Sequence, residues 1–272
     1  MPAFLAKLMS RLLFWLGVLK AFKGLTLRSE LNLWTSAFTD ALLYSFSSER
    51  FNPRLVLRGL FLYRVKGLGI VVVRGGTDDF YHLIPGREGD VEEFMRSCLR
   101  NGSVFVDVGA NVGYYTLMAS KLVGPLGRVH AIEPVPSTAC LLKVNVRLNG
   151  CGNVIVHEVA AWSSKGEVTL SIPKSFYGCA SIVREGEERL SVKAVTLDEM
   201  LHGVNSVDLI KIDVEGAEHE VLLGAKNLVS KVKCMVIELS RNAKEVLGLL
   251  KQYGFRVKKT KFTTYVIAYR GQ

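Results

Sequence analysis

The sequence is short of several things that would each have named a function class. Its five cysteines (Cys98, Cys140, Cys151, Cys179, Cys234) are odd in number and never closely paired as CxxC, which argues against a disulfide frame or a zinc site. Reduced thiols in a cytoplasmic setting are expected instead. The five histidines are equally dispersed, with no HxxxH pair, so no structural metal is expected. With seven prolines and no low-complexity run, the chain does not read as disordered, and no internal repeat of fixed period is present. Nor is there an apolar run of the ~20 residues a membrane-spanning helix requires; the longest uncharged stretch near the start covers only residues 12–19.

What is there is enough apolar residue (49%, against 22% charged) for a full core, and 272 residues suit one α/β domain with an N-terminal extension. Net charge is +10, and it is unevenly placed: residues 1–75 hold eleven Lys/Arg against three Asp/Glu, the rest 24 against 22. A positive front end attracts anionic lipid, phosphorylated glycan or nucleic acid. The opening "MPAFLAKLMSRLLFWLGVLKAFK" has a basic start and a short apolar core, but no small-x-small cleavage site follows closely. It reads as an amphipathic helix with Phe4, Leu8, Leu12, Trp15 and Leu19 near one face. That face serves either a peripheral contact with an anionic membrane surface or packing on the chain's own domain, and both readings stay open here.

Along the chain, "SELNLWTSAFTDALLYSF" has helical spacing, while "GLFLYRV", "GIVVVRG" and "FYHLI" read as short β runs. Asp90 is placed to cap a helix running to about residue 100. Strand and helix then alternate, the signal of a parallel sheet with crossovers. The strands are "SVFVDV", "RVHAIEP", "NVIVHEVA", "VDLIKIDV" and "CMVIEL"; helices are expected over about 113–122, 137–148, 216–229 and 243–253. A β-like insertion lies between residues 163 and 195, and "FRVKKT" with "TTYVIAY" closes the sheet as an antiparallel pair, making seven strands.

In such a sheet, ligands bind beyond the carboxyl ends of the strands. The first strand runs into Asp107-Val-Gly109-Ala-Asn111-Val-Gly113. Gly109 permits a tight turn and close backbone approach, and Gly113 permits close packing of the next helix. The loop is neither the GxGxxG of dinucleotide binding nor the GK[ST] of a P-loop, so a ligand held by its phosphates is disfavoured. Glu133, 26 residues after Asp107, ends the second strand, where a carboxylate can accept from both hydroxyls of a ribose.

Taken together, "VFVDVGANVGYYTLMAS", "VHAIEPVPSTACLLKVNVRLNG", "VAAWSSKGEVTL", "VTLDEM" and "LIKIDVEGAEHEVLLGA" resemble the FkbM-type family of S-adenosylmethionine-dependent methyltransferases over roughly residues 88–240. The resemblance implies a Rossmann-like class I methyltransferase fold with a seven-stranded, mostly parallel sheet and an antiparallel C-terminal strand. It also implies methyl transfer to oxygen, commonly a sugar hydroxyl in a glycan or glycolipid. The expected division is a helical and β extension over 1–87 and the methyltransferase domain over 88–272. By the same resemblance Gly109, Asn111, Gly113, Tyr115 and Asp213 hold the methionine side of S-adenosylmethionine and Glu133 its ribose; Asp107 either contacts the cofactor's ammonium or anchors the loop. Residues 158–162, with Ala160 and Ala161, border the adenine; Trp162 stacks there or belongs to the core. Asp213, Glu215 and His219 are the candidate bases for the acceptor proton, unranked, while Glu215 and Glu218 also suit helix capping; two carboxylates and a histidine could hold a metal, but their spacing is not diagnostic and none is expected. Residues 173–188 are expected to overhang the site and contact the acceptor. Competing readings are an RNA methyltransferase, weakened by the absence of an Asn-Pro-Pro-Tyr-type signature, a non-catalytic Rossmann-like module, and a nicotinamide dehydrogenase, disfavoured by the glycine spacing.

Overall fold

A computed structural model describes residues 2–47, 51–172, 188–261 and 264–270. The chain forms two compact units, Met1–Arg87 and Glu88–Gln272.

The second unit is built on a seven-stranded sheet. Its strands are β4 (Val104–Val108), β5 (Arg128–Ile132), β6 (Val154–His157), β10 (Val207–Ile212), β11 (Val232–Glu238), β12 (Arg256–Lys259) and β13 (Tyr265–Tyr269), in the order β12-β13-β11-β10-β4-β5-β6. β6, β5, β4, β10 and β11 run parallel, and β13 is inserted antiparallel between β11 and β12. Helices α4 (Gly89–Cys98), α5 (Tyr114–Val123), α6 (Pro136–Leu148), α8 (Glu218–Leu223) and α9 (Ala243–Gln252) belong to this unit. The central strands β4, β5 and β10 bury all but one side chain each, as their Val/Ile/Leu runs demand of a sheet covered on both faces, while the edge strand β6 is only partly covered. Order reverses at β4: β5 lies on one side and β10 on the other, which opens the crevice where such folds bind ligands.

The details differ from expectation in four places. "NVIVHEVA" divides: β6 stays in the main sheet, while β7 (Ala160–Ala161) leaves it to pair with β9 (Glu188–Val195) and, through β9, β8 (Gly166–Ile172). The helix expected over 216–229 covers only Glu218–Leu223 and ends at Gly224, a position packed so closely on the Trp162 carbonyl that a Cβ would stand 2.0 Å from it. Asp90 sits inside α4, where it accepts from the adjacent Val91 N–H at 3.0 Å and from the Lys261 N–H at 3.2 Å, so it does not cap. "FYHLI" forms a single helical turn, α3 (Asp79–His82), held where Asp79 accepts from Arg74 at 2.7 and 2.8 Å. The expected overhang over 173–188 lies, except for the backbone of Glu188, outside the described residues.

The first unit pairs α1 (Pro2–Ala21) with α2 (Leu27–Phe46) over an antiparallel sheet of β1 (Phe22–Gly24), β2 (Gly59–Val65) and β3 (Gly69–Gly75). The helix pair is locked by one buried carboxylate. Asp40 of α2 accepts from Arg11 Nε at 2.5 Å and Nη2 at 2.9 Å, and from the Trp15 indole at 2.6 Å. Removing it strands a buried guanidinium and an indole N–H, so Asp40→Ala is expected to lower stability by about 3–5 kcal/mol. Urea unfolding measures this. Arg11→Met combined with Asp40→Leu, which removes both charges at similar volume, is expected to recover most of the loss; no loss in Asp40→Ala would refute the lock.

Candidate active site

The loop after β4 is shaped from three directions. Gly109 and Ala110 both donate backbone N–H bonds at 3.0 Å to the Ile132 carbonyl at the end of β5. Glu133 accepts from the Asn111 N–H at 2.9 Å and the Val135 N–H at 3.0 Å, and the Asn145 amide of α6 donates to the Val112 carbonyl at 2.9 Å. Gly109 has φ +81°, and a Cβ on it would stand 1.8 Å from the Asp213 carbonyl oxygen. Close approach here is therefore between the loops after β4 and β10, a tighter demand than approach to a ligand. Gly113 (φ +101°) is likewise required, with Leu142 of α6 2.6 Å from its Cβ position. Asn111 (φ 49°) and Glu215 (φ 53°), on these same two loops, are the positive-φ residues other than glycine among the described residues. Strain of this kind persists where surrounding structure over-determines it, commonly at functional sites.

Beneath the loops lies a buried charge network. Lys211 of β10 is 2% exposed and sits in register with Asp107 of β4. Burial alone would lower the ammonium's pKa, but Asp213, Asp107 and Glu88 outweigh it and hold it above its ordinary value. Lys211 Nζ donates to Asp213 Oδ2 at 2.9 Å, and the Tyr265 hydroxyl donates to the same oxygen at 2.5 Å. For Asp213 too, burial works toward the neutral form and is overcome, chiefly by Lys211 and by hydrogen bonds from Glu238 and Tyr265, so its carboxyl stays well below the carboxylate range. Tyr115 turns its ring to Lys211, 4.8 Å from Nζ, and its hydroxyl donates to Glu88. Burial pushes the Asp107 carboxyl up against the pull of Lys211 and Thr116; Thr116 donates to its Oδ2 at 2.6 Å, while Oδ1 has no partner.

The third part is a group of carboxylates. Asp213, Glu215 and Glu238, the last at the end of β11, offer oxygens within 4.8 Å of one another. Burial first, then the neighbouring Asp213 charge, pushes Glu238 up to about 8. Near neutral pH, then, Glu238 carries a proton and Asp213 does not. Three carboxylates can attract a hard cation as well as a hydroxyl.

The structure thus gathers Asp107, Gly109, Asn111, Gly113, Glu133, Asp213 and Glu215 at the ends of β4, β5 and β10. Ala160 and Ala161 are buried in β7, paired with Ala194 and Val195. His219 pairs with Glu220 at 3.5 Å and stands outside the carboxylate group. Glu218 is a brace: buried, it accepts from the Gly216 N–H and the Ser240 hydroxyl, each at 2.9 Å. Lys211, Glu238, Tyr265 and Glu88 were not anticipated. A lysine inside "VDLIKIDV" was a signal, since a charge in a strand buried on both faces needs partners; Glu238 and Tyr265 gave none.

The site fits S-adenosylmethionine. Asp107 Oδ1 and Asn111 Oδ1 are buried acceptors without a donor, beside a loop braced by the Glu133 carboxylate. Such a set suits a ligand carrying an ammonium and a vicinal diol.

Residues 107–257 match the family model of the methyltransferase FkbM domain. The chain is 28% identical over 179 residues to the hexuronic acid methyltransferase AglP of Haloferax volcanii, covering 64% of this chain and 72% of that protein. It is 29% identical over 196 residues to the 31-O-demethyl-FK506 methyltransferase FkbM of Streptomyces tacrolimicus, covering 58% and 75%. Among solved structures, the precorrin-6y C5,15-methyltransferase of Geobacter metallireducens aligns with a TM-score of 0.45 at 19% identity, covering 70% of this chain and 90% of that one. By its sheet order, with β13 antiparallel in an otherwise parallel core, and by the family match, the fold is that of a class I methyltransferase, and S-adenosylmethionine is the cofactor. The family match spans more than half of the sequence, and the chain belongs to the FkbM family of S-adenosylmethionine-dependent methyltransferases.

Proposed function

We propose that this enzyme methylates a hydroxyl of a sugar in a glycan or glycolipid. One observation carries the reading: the carboxylates Asp213, Glu215 and Glu238 share a wall with the glycine loop, through the packing of Gly109 on the Asp213 carbonyl. The Haloferax relative, a hexuronic acid methyltransferase, supports a sugar acceptor.

Bound S-adenosylmethionine supplies an activated methyl group on its sulfonium. The chain's residues do the rest. Asp107 and Asn111 would receive the cofactor's ammonium, the backbone at Gly109 and Gly113 would hold its methionine part, and Glu133 would take the ribose hydroxyls. Ala160 and Ala161 would border the adenine. Tyr115 contributes by fixing Glu88 and the ring face against Lys211. Much of the acceleration of such a reaction comes from holding acceptor and donor together. A hydroxyl acceptor also gains from a group that takes its proton, best with a pKa near the working pH. Asp213 is a weak base, because Lys211 and Tyr265 stabilise its ionised form. Glu238, pushed up to about 8 beside it, meets the requirement, with Glu215 orienting the hydroxyl. His219 is the reserve candidate for the same role.

Methyl label from S-adenosylmethionine, incubated with fractionated cell extract, is expected in glycolipid or polysaccharide and to be lost with Glu238→Gln. Label confined to RNA or protein would refute the acceptor class. Glu133→Gln should weaken cofactor binding about 10- to 100-fold by calorimetry, the range for a charge-assisted hydrogen bond; unchanged affinity would free Glu133 of the ribose role. The pH dependence has a definite sign. A base must be ionised, so log kcat/KM should climb with pH and level off above about 8, and Glu238→Gln should abolish that limb. Because the folded chain holds this proton more tightly than the unfolded one, Glu238 should also make stability fall as pH rises from 4.5, its ordinary value, to about 8. A flat profile between those limits would remove Glu238 from the role.

A further inference from the structure

Helix α2 is amphipathic in the wrong sense for a helix in water. Its inward face carries a polar row: Ser29, Asn32, Ser36 and Asp40 are all buried, beside Leu33, Ala37 and Ala41. Each has a partner that explains its place. The Ser29 hydroxyl accepts from the Leu62 N–H at 3.0 Å, the Asn32 carbonyl oxygen from Leu57 N–H at 3.0 Å, the Ser36 hydroxyl from Val56 N–H at 2.9 Å, and Asp40 holds Arg11 and Trp15. The outward face is apolar. Leu27, Leu31, Trp34, Phe38, Leu42 and Phe46 recur every third or fourth residue, and Leu27, Phe38 and Phe46 are 77%, 73% and 74% exposed. The neighbouring α1 adds Leu5, Met9, Leu13 and Leu16, each at least half exposed. Its face expected from sequence is mostly turned the other way: Trp15 is buried, Phe4 meets Phe46 in a tilted pair at 4.9 Å, and Phe4, Leu8 and Leu19 are only partly exposed, because most of that stripe packs α1 within its own unit, while Leu12 stays exposed. Of the twenty large hydrophobic side chains exposed among the described residues, sixteen lie within residues 5–60. A surface this apolar marks a contact, not ordinary solvation.

The charges around it name the occupant. Among the described residues of the first unit, every exposed charged side chain is basic, including Lys7, Lys20, Lys23 and Arg28 on or beside the two helices. Each carboxylate among the described residues there is turned inward or tied: Asp40 to Arg11, Asp79 to Arg74, Asp78 to His82, and Glu30 to the Gly24 N–H and the Trp34 indole. We propose that α1 and α2 dock on an anionic lipid surface, with the apolar stripes in the boundary between headgroups and acyl chains and the cations on the headgroup phosphates. Exposed indole and phenyl rings beside lysines suit that interface. No described helix is long and apolar enough to cross a membrane, so the contact is peripheral. A second copy of the chain is the poorer occupant, since it would bring the same uncompensated positive charge. The proposal rests on residues 2–46 and holds whatever the methyl acceptor is.

Co-sedimentation of the full chain with vesicles tests it without any assay of activity. With phosphatidylcholine containing a minority of phosphatidylglycerol, binding is expected at least about 10-fold tighter than with phosphatidylcholine alone, and should weaken as salt is raised. Leu31→Ser with Phe38→Ser, both on the exposed face, should cut binding to the mixed vesicles about 10-fold or more with Tm and cofactor affinity unchanged. Lys20→Glu with Arg28→Glu should abolish the preference for the anionic lipid. A chain that stays in the supernatant with both vesicle types overturns the proposal. So does concentration-dependent dimerisation that Leu31→Ser with Phe38→Ser abolishes while vesicle binding is absent.

Discussion

The site depends on the ammonium of Lys211, buried between β4 and β10 and almost without solvent. Burying a charge is costly unless it is paired. Here the pairing runs both ways, because Asp107 and Asp213 stand at the ends of neighbouring strands and would otherwise repel one another in a medium of low polarity. With the lysine in place, Asp213 remains ionised and its tendency to take a proton passes to Glu238, one strand further on. A single buried cation thereby separates two carboxyl groups that composition alone would treat as equivalent.

Charge compensation also permits the backbone geometry above it. The loops after β4 and β10 touch where Gly109 meets the Asp213 carbonyl, and each carries a strained residue, Asn111 on one and Glu215 on the other. Glu133 closes the arrangement from β5 by binding the Asn111 N–H, so the loop is held before any ligand arrives. Preorganisation of this sort reduces what a ligand must spend on ordering its site. The orphaned oxygens of Asp107 and Asn111 are what that order leaves available.

The first unit solves a different problem. Its helix pair spends polar side chains on the inside, where Asp40, Asn32 and Ser36 anchor Arg11 and the chain over 56–62. The outer surface is left apolar and ringed by cations. Helix periodicity in the sequence therefore marked a real amphipathic helix in α1, but the face it marked was the packing face; which stripe is inward depends on the partner helix, and α2 carries its own polar stripe to meet it.

By itself the sequence determined the strand-helix alternation, the seven strands with their closing hairpin, the glycine loop and Glu133, because these are local patterns of period, turn residue and position at a strand's end. The resemblance over residues 88–240 supplied the reaction class and cofactor from the same local motifs. Only the tertiary structure decided that Gly109 is required by Asp213, 104 residues away along the chain. Only it brought Lys211, Glu238 and Tyr265, from three strands, around one carboxylate, and left His219 outside. The physical reason is that pKa values and close approach depend on neighbours through space, and β10, β11 and β13 become neighbours only when the sheet closes.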